Sequence, residues 1–230
     1  MFTVDWFSEH VPNWDRVLSS RLKPASKCLF VGVHEGRAPQ WLLQNIAPKA
    51  HLTVVDAFRY TDCVYYKGES TRVPPVRKTF DRAMESVGRS VADAKTGRPA
   101  ASAKTVAVIA DLPALKCPGD TFDFAYIDAQ NSKQALDACV RVLPMVKCGG
   151  TIVITNNVQG RLHDSACPRR GIQGFLDAFV TDIKVLHEGF HTFIERRKTP
   201  IALPHPCRYE IYDGQESFAP PKCKRSSRKK

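Results

Sequence analysis

The stretch Cys28-Leu-Phe-Val-Gly-Val-His-Glu-Gly-Arg-Ala-Pro-Gln-Trp-Leu-Leu43 decides the fold. It reads as a short apolar strand, a glycine-bearing turn and the start of a helix. Gly32 and Gly36 frame the turn, Pro39 suits a first helical turn, and Trp41, Leu42 and Leu43 begin an apolar face. A helix N-terminus set over the end of a strand is an anion and nucleotide site. Glycines at this spacing also occur in α/β folds that bind nothing, so the turn alone leaves the ligand open.

Working outward, Trp14, Val17, Leu18 and Leu22 recur at helical spacing and predict a leading helix within 11–22. His51-Leu-Thr-Val-Val-Asp56 is a second strand that ends on an acid. The segment 59–73 is aromatic and irregular, and Pro74-Pro75 interrupts any regular element. A helix with Phe80, Met84 and Val87 on one face is expected over 76–87. The Gly/Ala/Ser-rich, basic run 88–104 reads as a flexible surface excursion. Thr105–Asp111 and Phe122–Asp128 are two further strands closing on acids. Asn131 or Ser132 caps a helix reaching about Met145, and Gly149-Gly150 precedes the strand Thr151–Thr155. A helix over 171–183 and a hairpin turning at Glu188-Gly189 complete the pattern. Alternating strands and helices imply a mostly parallel sheet with an antiparallel closing element.

At 230 residues, 43% of them apolar and 25% charged, the chain is expected to form one globular domain. No apolar run approaches the roughly 20 residues of a membrane span, so no membrane association is expected. The acidic, Arg-free start predicts neither a secretory signal nor a presequence. The eight cysteines show no C-x-x-C pair and no Cys/His ligand cluster, which points to reduced thiols in an intracellular, reducing compartment. Cytoplasm or nucleus is favoured there, with a mitochondrial location left open.

The net charge of +11 is uneven. Residues 59–104 hold ten Lys/Arg against five Asp/Glu, residues 196–230 hold ten against three, and the remainder is near neutral. An added surface facing RNA or another polyanion is expected at 59–104 and 222–230. The terminal Lys222–Lys230 has six cations, no acid and no interleaved aromatic, which suits phosphate backbones without base reading. The same run reads equally as a nuclear-localisation signal.

Four strand ends thus deliver a glycine turn or an acid: Gly32, Asp56, Asp111 and Asp128. In an open α/β sheet, ligands lie at the carboxyl ends of the strands, where strand order reverses. Each acid alone is a common loop or capping residue; together they point to a nucleotide-like ligand.

Asp5-Trp-Phe-Ser, Pro12-Asn-Trp14, Val31–Arg37, Trp41-Leu-Leu, Val55-Asp56 and Tyr126-Ile-Asp128 resemble the class I S-adenosylmethionine-dependent methyltransferases. The closest resemblance is to the branch catalogued as methyltransferase domain 24, a relative of the catechol-type O-methyltransferases. It runs from about residue 4 to 198, apart from 88–104, and defines a domain 1–198 followed by a basic, Pro-containing extension 199–230.

The resemblance implies a doubly wound, Rossmann-like fold with a mostly parallel seven-stranded sheet and a C-terminal antiparallel hairpin strand. It implies S-adenosylmethionine as cofactor. The Gly32-Val33-His34 turn and Gly36 would pass the methionine part, with His34 either touching cofactor or packing. Asp56 with Ala57 would take the ribose hydroxyls, Asp111 with Leu112 would flank the adenine, and Asp128 would face methyl group and substrate as the catalytic position.

Three departures stand beside these matches. Phe30 occupies the place of an acid that braces the glycine loop. Ala129-Gln130-Asn131 replaces an expected Gly-x-His. Asn156-Asn157 replaces a carboxylate-bearing pair, so Asp128 with two amides makes a degenerate site for a hard divalent cation. His163, in the following loop, is the candidate for a replacement base, against a solvated reading of the same side chain. Two functions are therefore carried forward. One is methyl transfer, to oxygen, on an anionic or RNA acceptor. The other is a catalytically degenerate fold serving as a binding subunit of a larger ribonucleoprotein assembly.

Overall fold

The computed structural model describes residues 2, 5, 7–59, 63–66, 69–72, 76–155 and 167–197. The positions Asn156, Asn157 and His163 and the extension 199–230 lie outside the described residues.

The first layer follows from the leading periodicity. Helix α1 (Val11–Leu18) buries Trp14, Val17 and Leu18. Strand β1 (Lys27–Val31) leads through the glycine turn into α2 (Arg37–Asn45), and β2 (His51–Val55) follows. Strands β3 (Cys63–Tyr66) and β4 (Glu69–Arg72) pair with each other in a separate antiparallel ribbon. Helix α3 (Val76–Glu85) buries Phe80 and Met84 as its spacing predicts.

The next strand is a correction. Ser90–Asp93, expected within a flexible excursion, forms β5, hydrogen-bonded in parallel to β6 (Thr105–Ile109). Its side chains are mostly exposed, which hides the strand from hydrophobic patterning. The rest of the excursion is also tied down: Gly97 N–H donates to Ala94 O at 2.8 Å and Ala100 N–H to Thr53 Oγ1 at 2.9 Å.

Strand β7 (Phe122–Ile127), helix α4 (Ser132–Val142), β8 (Val146–Ile154), α5 (Pro168–Ala178), β9 (Ile183–His187) and β10 (Thr192–Arg196) complete the order. Strand β8 starts earlier than expected and takes in Gly149-Gly150. The register against β7 shifts between Phe122 and Phe124. A Cβ at Gly150 would stand 2.6 Å from Val146 Cγ1, so glycine suits this irregularity.

The main sheet has eight strands in the order β5-β6-β2-β1-β7-β8-β10-β9, where seven are expected; β5 accounts for the difference. All neighbours from β5 to β8 are parallel, and β10 runs antiparallel between β8 and β9. Strand alternation sorts the core into two faces. One holds Trp14, Phe30, Phe80, Phe124 and Phe193 beside α1, α2 and α3. The other holds Leu29, Ile127, Val142, Ile172 and Phe175 beside α4 and α5. Strand order reverses between β1 and β7, which run parallel, so a crevice opens where Gly32 and Asp128 lie. Among the described residues no helix is long and apolar enough to cross a membrane.

Candidate active site

The glycine turn sits in that crevice. Gly32 has φ +78, and a Cβ there would stand 2.6 Å from the Asp128 carbonyl oxygen. Only glycine permits this approach without strain. Backbone bonds seal the join: Gly32 N–H donates to Val55 O at 2.9 Å and Asp128 N–H to Val31 O at 2.8 Å. Further on, Gly36 opens α2 at φ +88, and the Phe80 ring fills the space a side chain would need.

Asp56 holds the turn from the side. Its Oδ2 accepts from Val33 N–H at 2.9 Å, and its Oδ1 from Phe58 N–H at 2.7 Å. The carboxylate is buried, where charge-assisted bonds to backbone donors are strong. Phe30, meanwhile, is wholly buried, its ring centroid 5.6 Å from that of Phe124 and 5.3 Å from that of Tyr126. Position 30 therefore faces the α1–α3 core and contributes no charge to the loop. The brace comes from the end of β2 instead.

A cavity of about 640 Å³ opens at the carboxyl ends of β2, β5 and β6. That volume lies in the range of small-molecule sites. Asp56, Ala57 and Phe58 line one side, Ile109, Ala110 and Ala114 another, and Lys95 and Lys116 stand with them. Asp111 and Leu112, expected beside an adenine, contribute differently. The Asp111 carboxylate accepts from Ala114 N–H at 2.9 Å and caps a short 3-10 turn, Leu112–Ala114, so Ala110 and Ala114 form the wall.

On the other side of the turn, Asp128 Oδ1 accepts from Thr155 Oγ1 at 3.0 Å, which fixes the carboxylate at the ends of β7 and β8. His34 adopts φ +48. Burial pushes its pKa below the usual imidazole range, although Glu35, Asp128 and Asp56 pull the other way. Asn131 caps α4, accepting from Gln134 N–H at 2.9 Å. The expected acids thus meet unevenly. Asp56 and Asp128 flank the turn directly, whereas Asp111 stabilises the wall from outside. Among the described residues no group of three His, Cys, Asp or Glu could hold a metal ion.

The N-terminal segment reaches the same place. Arg37, in the first turn of α2, pairs with Asp5 at 2.9 Å and donates to Ser8 Oγ at 2.8 Å. Behind it, Trp14 Nε1–H donates to His191 Nδ1 at 2.8 Å, and His10 lies 4.1 Å from His191 by ring centroids. Sequence reading missed Thr155, Phe58, Lys95, Lys116 and this aromatic clasp. No short motif marks them; they are neighbours only through the sheet.

Together, the parallel sheet reversing at β1 and β7, the glycine turn at that reversal and the antiparallel β10 define a class I methyltransferase fold. Solved structures agree. The O-methyltransferase TomG from Streptomyces achromogenes, in complex with SAM, is 16% identical, with a TM-score of 0.54 over 77% of this chain and 76% of that one. The O-methyltransferase from Bacillus cereus, in complex with SAH, is 13% identical, with a TM-score of 0.54 over 83% and 80%. An rRNA methylase from Streptococcus thermophilus is 10% identical, with a TM-score of 0.54 over 85% and 99%. At such identities the likeness is one of fold. No protein-family model and no curated protein matches the chain.

Proposed function

We propose that the chain binds S-adenosylmethionine and transfers its methyl group to an oxygen of an anionic acceptor, RNA included. The observation that carries this reading is the meeting of Gly32, Asp56 and Asp128 at the sheet's switch point, beside a ligand-sized cavity. The Gly32–Gly36 turn would hold the methionine part, Asp56 and Ala57 the ribose, and Ala110 with its neighbours the adenine. The bound sulfonium supplies an activated methyl group. The chain's part is alignment: the braced turn fixes one partner, and Asp128, held by Thr155, orients the acceptor. One carboxylate with two amides at 156 and 157 suits a hard cation poorly, so the reading uses no metal. Oxygen is favoured as acceptor because two similar structures are O-methyltransferases, and RNA because another is an rRNA methylase. Within that class, the motifs at Val31–Arg37 and Tyr126–Asp128 support a reading of the chain as similar to the domain 24 branch.

Calorimetry with S-adenosylmethionine and S-adenosylhomocysteine tests this reading. Binding in the micromolar range is expected, and Ala110→Trp, a substitution at an exposed wall position, should abolish it. Absence of heat from both compounds overturns the reading.

A second reading is favoured by one observation: Phe30 is sealed in the core, so the turn lacks its usual acid. In that reading the fold is a degenerate binding subunit of a ribonucleoprotein assembly. It expects salt-sensitive RNA binding that survives Ala110→Trp and is lost on removing residues 222–230.

A further inference from the structure

We infer that the lip of the cavity beside β5 and β6 takes the phosphate of a nucleotide, free or within an RNA chain. The inference rests on the reading that this cavity holds an adenosine group.

The cavity wall combines two chemistries. Ala57, Phe58, Ile109 and Ala110 offer an apolar surface suited to a planar base. Three cations stand around it: Arg77, Lys95 and Lys116. Arg77 is already engaged. Its guanidinium bonds Asp81 at 2.8 Å and Asp93 at 3.0 Å and lies 5.1 Å from the centroid of the Phe58 ring. Lys95 and Lys116 take part in none of the ion pairs among the described residues, and both are exposed.

Backbone bonds hold these two lysines on one lip. Lys116 N–H donates to Gly97 O at 2.7 Å, two residues from Lys95. Gly97, at φ +70, is seated so closely that a Cβ would lie 2.0 Å from Ala114 O.

The adenosine end of S-adenosylmethionine is uncharged, so the cofactor reading gives two cations there nothing to bind. An ammonium is a compact point charge with three donors and no acceptor, and phosphate is its natural partner. A base against the apolar wall, in the place the cofactor's adenine would take, with its phosphate at Lys95 and Lys116 would satisfy both chemistries at once. Such a nucleotide therefore competes with S-adenosylmethionine.

Calorimetry on the full chain tests this with four ligands: adenosine, adenosine 5′-monophosphate, an adenylate octamer and S-adenosylhomocysteine. A phosphorylated ligand should bind roughly tenfold tighter than adenosine at low salt. That gain should vanish in the Lys95→Ala/Lys116→Ala double variant and shrink as salt rises. A circular dichroism spectrum and melting transition matching those of the unsubstituted chain show that the double variant is folded. A gain for the monophosphate assigns the lip to free nucleotide; a gain for the octamer alone assigns it to RNA. Either supports the inference. Equal binding of all three adenosine ligands, or a gain that survives in the double variant, overturns it. Failure of S-adenosylhomocysteine to bind while the monophosphate binds would remove the cofactor reading and leave the phosphate site standing.

Discussion

The Asp56 carboxylate reaches across 23 residues to accept the Val33 N–H at 2.9 Å, inside the glycine turn. With its other oxygen it accepts Phe58 N–H at 2.7 Å, so one side chain ties the loops after β1 and β2 together. The brace on the glycine turn therefore comes from the residue that follows β2.

Asp56→Ala should therefore destabilise the fold as well as weaken ligand binding. Two backbone donors lose a charged acceptor in a buried setting, a cost of about 2–4 kcal/mol. Denaturant unfolding measures it. A change under about 0.5 kcal/mol would mean that water replaces the carboxylate at no cost.

Gly32→Ala should cost at least about 2 kcal/mol, combining a left-handed backbone with a clash against the Asp128 carbonyl. Because that carbonyl belongs to the residue proposed to orient the acceptor, affinity for S-adenosylhomocysteine should fall in parallel. An alanine variant with unchanged melting and binding would show that β1 and β7 separate readily at this point.

Phe30→Ala should cost about 3–5 kcal/mol, the range for a wholly buried phenylalanine. Phe30→Asp should fail to fold, since the position faces an aromatic core. Soluble, cofactor-binding Phe30→Asp protein would contradict this placement of the side chain.

His191 gives a pH dependence. Burial lowers its pKa from 6.5 to about 2, with His10 and His187 adding to the shift. Below pH 6.5 the unfolded chain takes up a proton that the folded chain refuses. This stability is full above 6.5 and is lost as pH falls toward 2, at about 1.4 kcal/mol per pH unit. His191→Gln keeps an acceptor for the Trp14 N–H and should flatten the stability profile between pH 6.5 and 5. Parallel profiles for the two proteins would show that another group carries the slope.

Much of this architecture is written locally in the chain. Strand ends at Gly32, Asp56, Asp111 and Asp128 are visible because an apolar run stops at a glycine or an acid at each. Helices α1 and α3 are visible because Trp14 and Phe80 head apolar stripes. Strand β5 is hidden, since an exposed edge strand of Ser, Val, Ala and Asp has no buried face to impose alternation. The absence of an acid at position 30 can be read directly. The bracing of the turn by Asp56 cannot, because a carboxylate's direction depends on where two distant turns present their N–H groups. The pairing of Asp128 with Thr155 and the meeting of Lys95 with Lys116 are hidden for the same reason: each joins segments that only strand order makes adjacent.

The bond from Trp14 to His191 spans 177 residues and fastens the leading helix to the last strand. On a ribosome, α1 emerges early, yet its indole has no acceptor until β10 has been made. At translation speeds of about 5–20 residues per second, that wait lasts roughly ten to thirty-five seconds. Until then Trp14 can pack on Trp41, Phe124 and Tyr126 but not on Phe193, so its burial stays incomplete and part of the stripe is open to chaperones. Helix α1 thus completes its burial only when β10 arrives, and a chain truncated before β10 would leave the Trp14 N–H without His191.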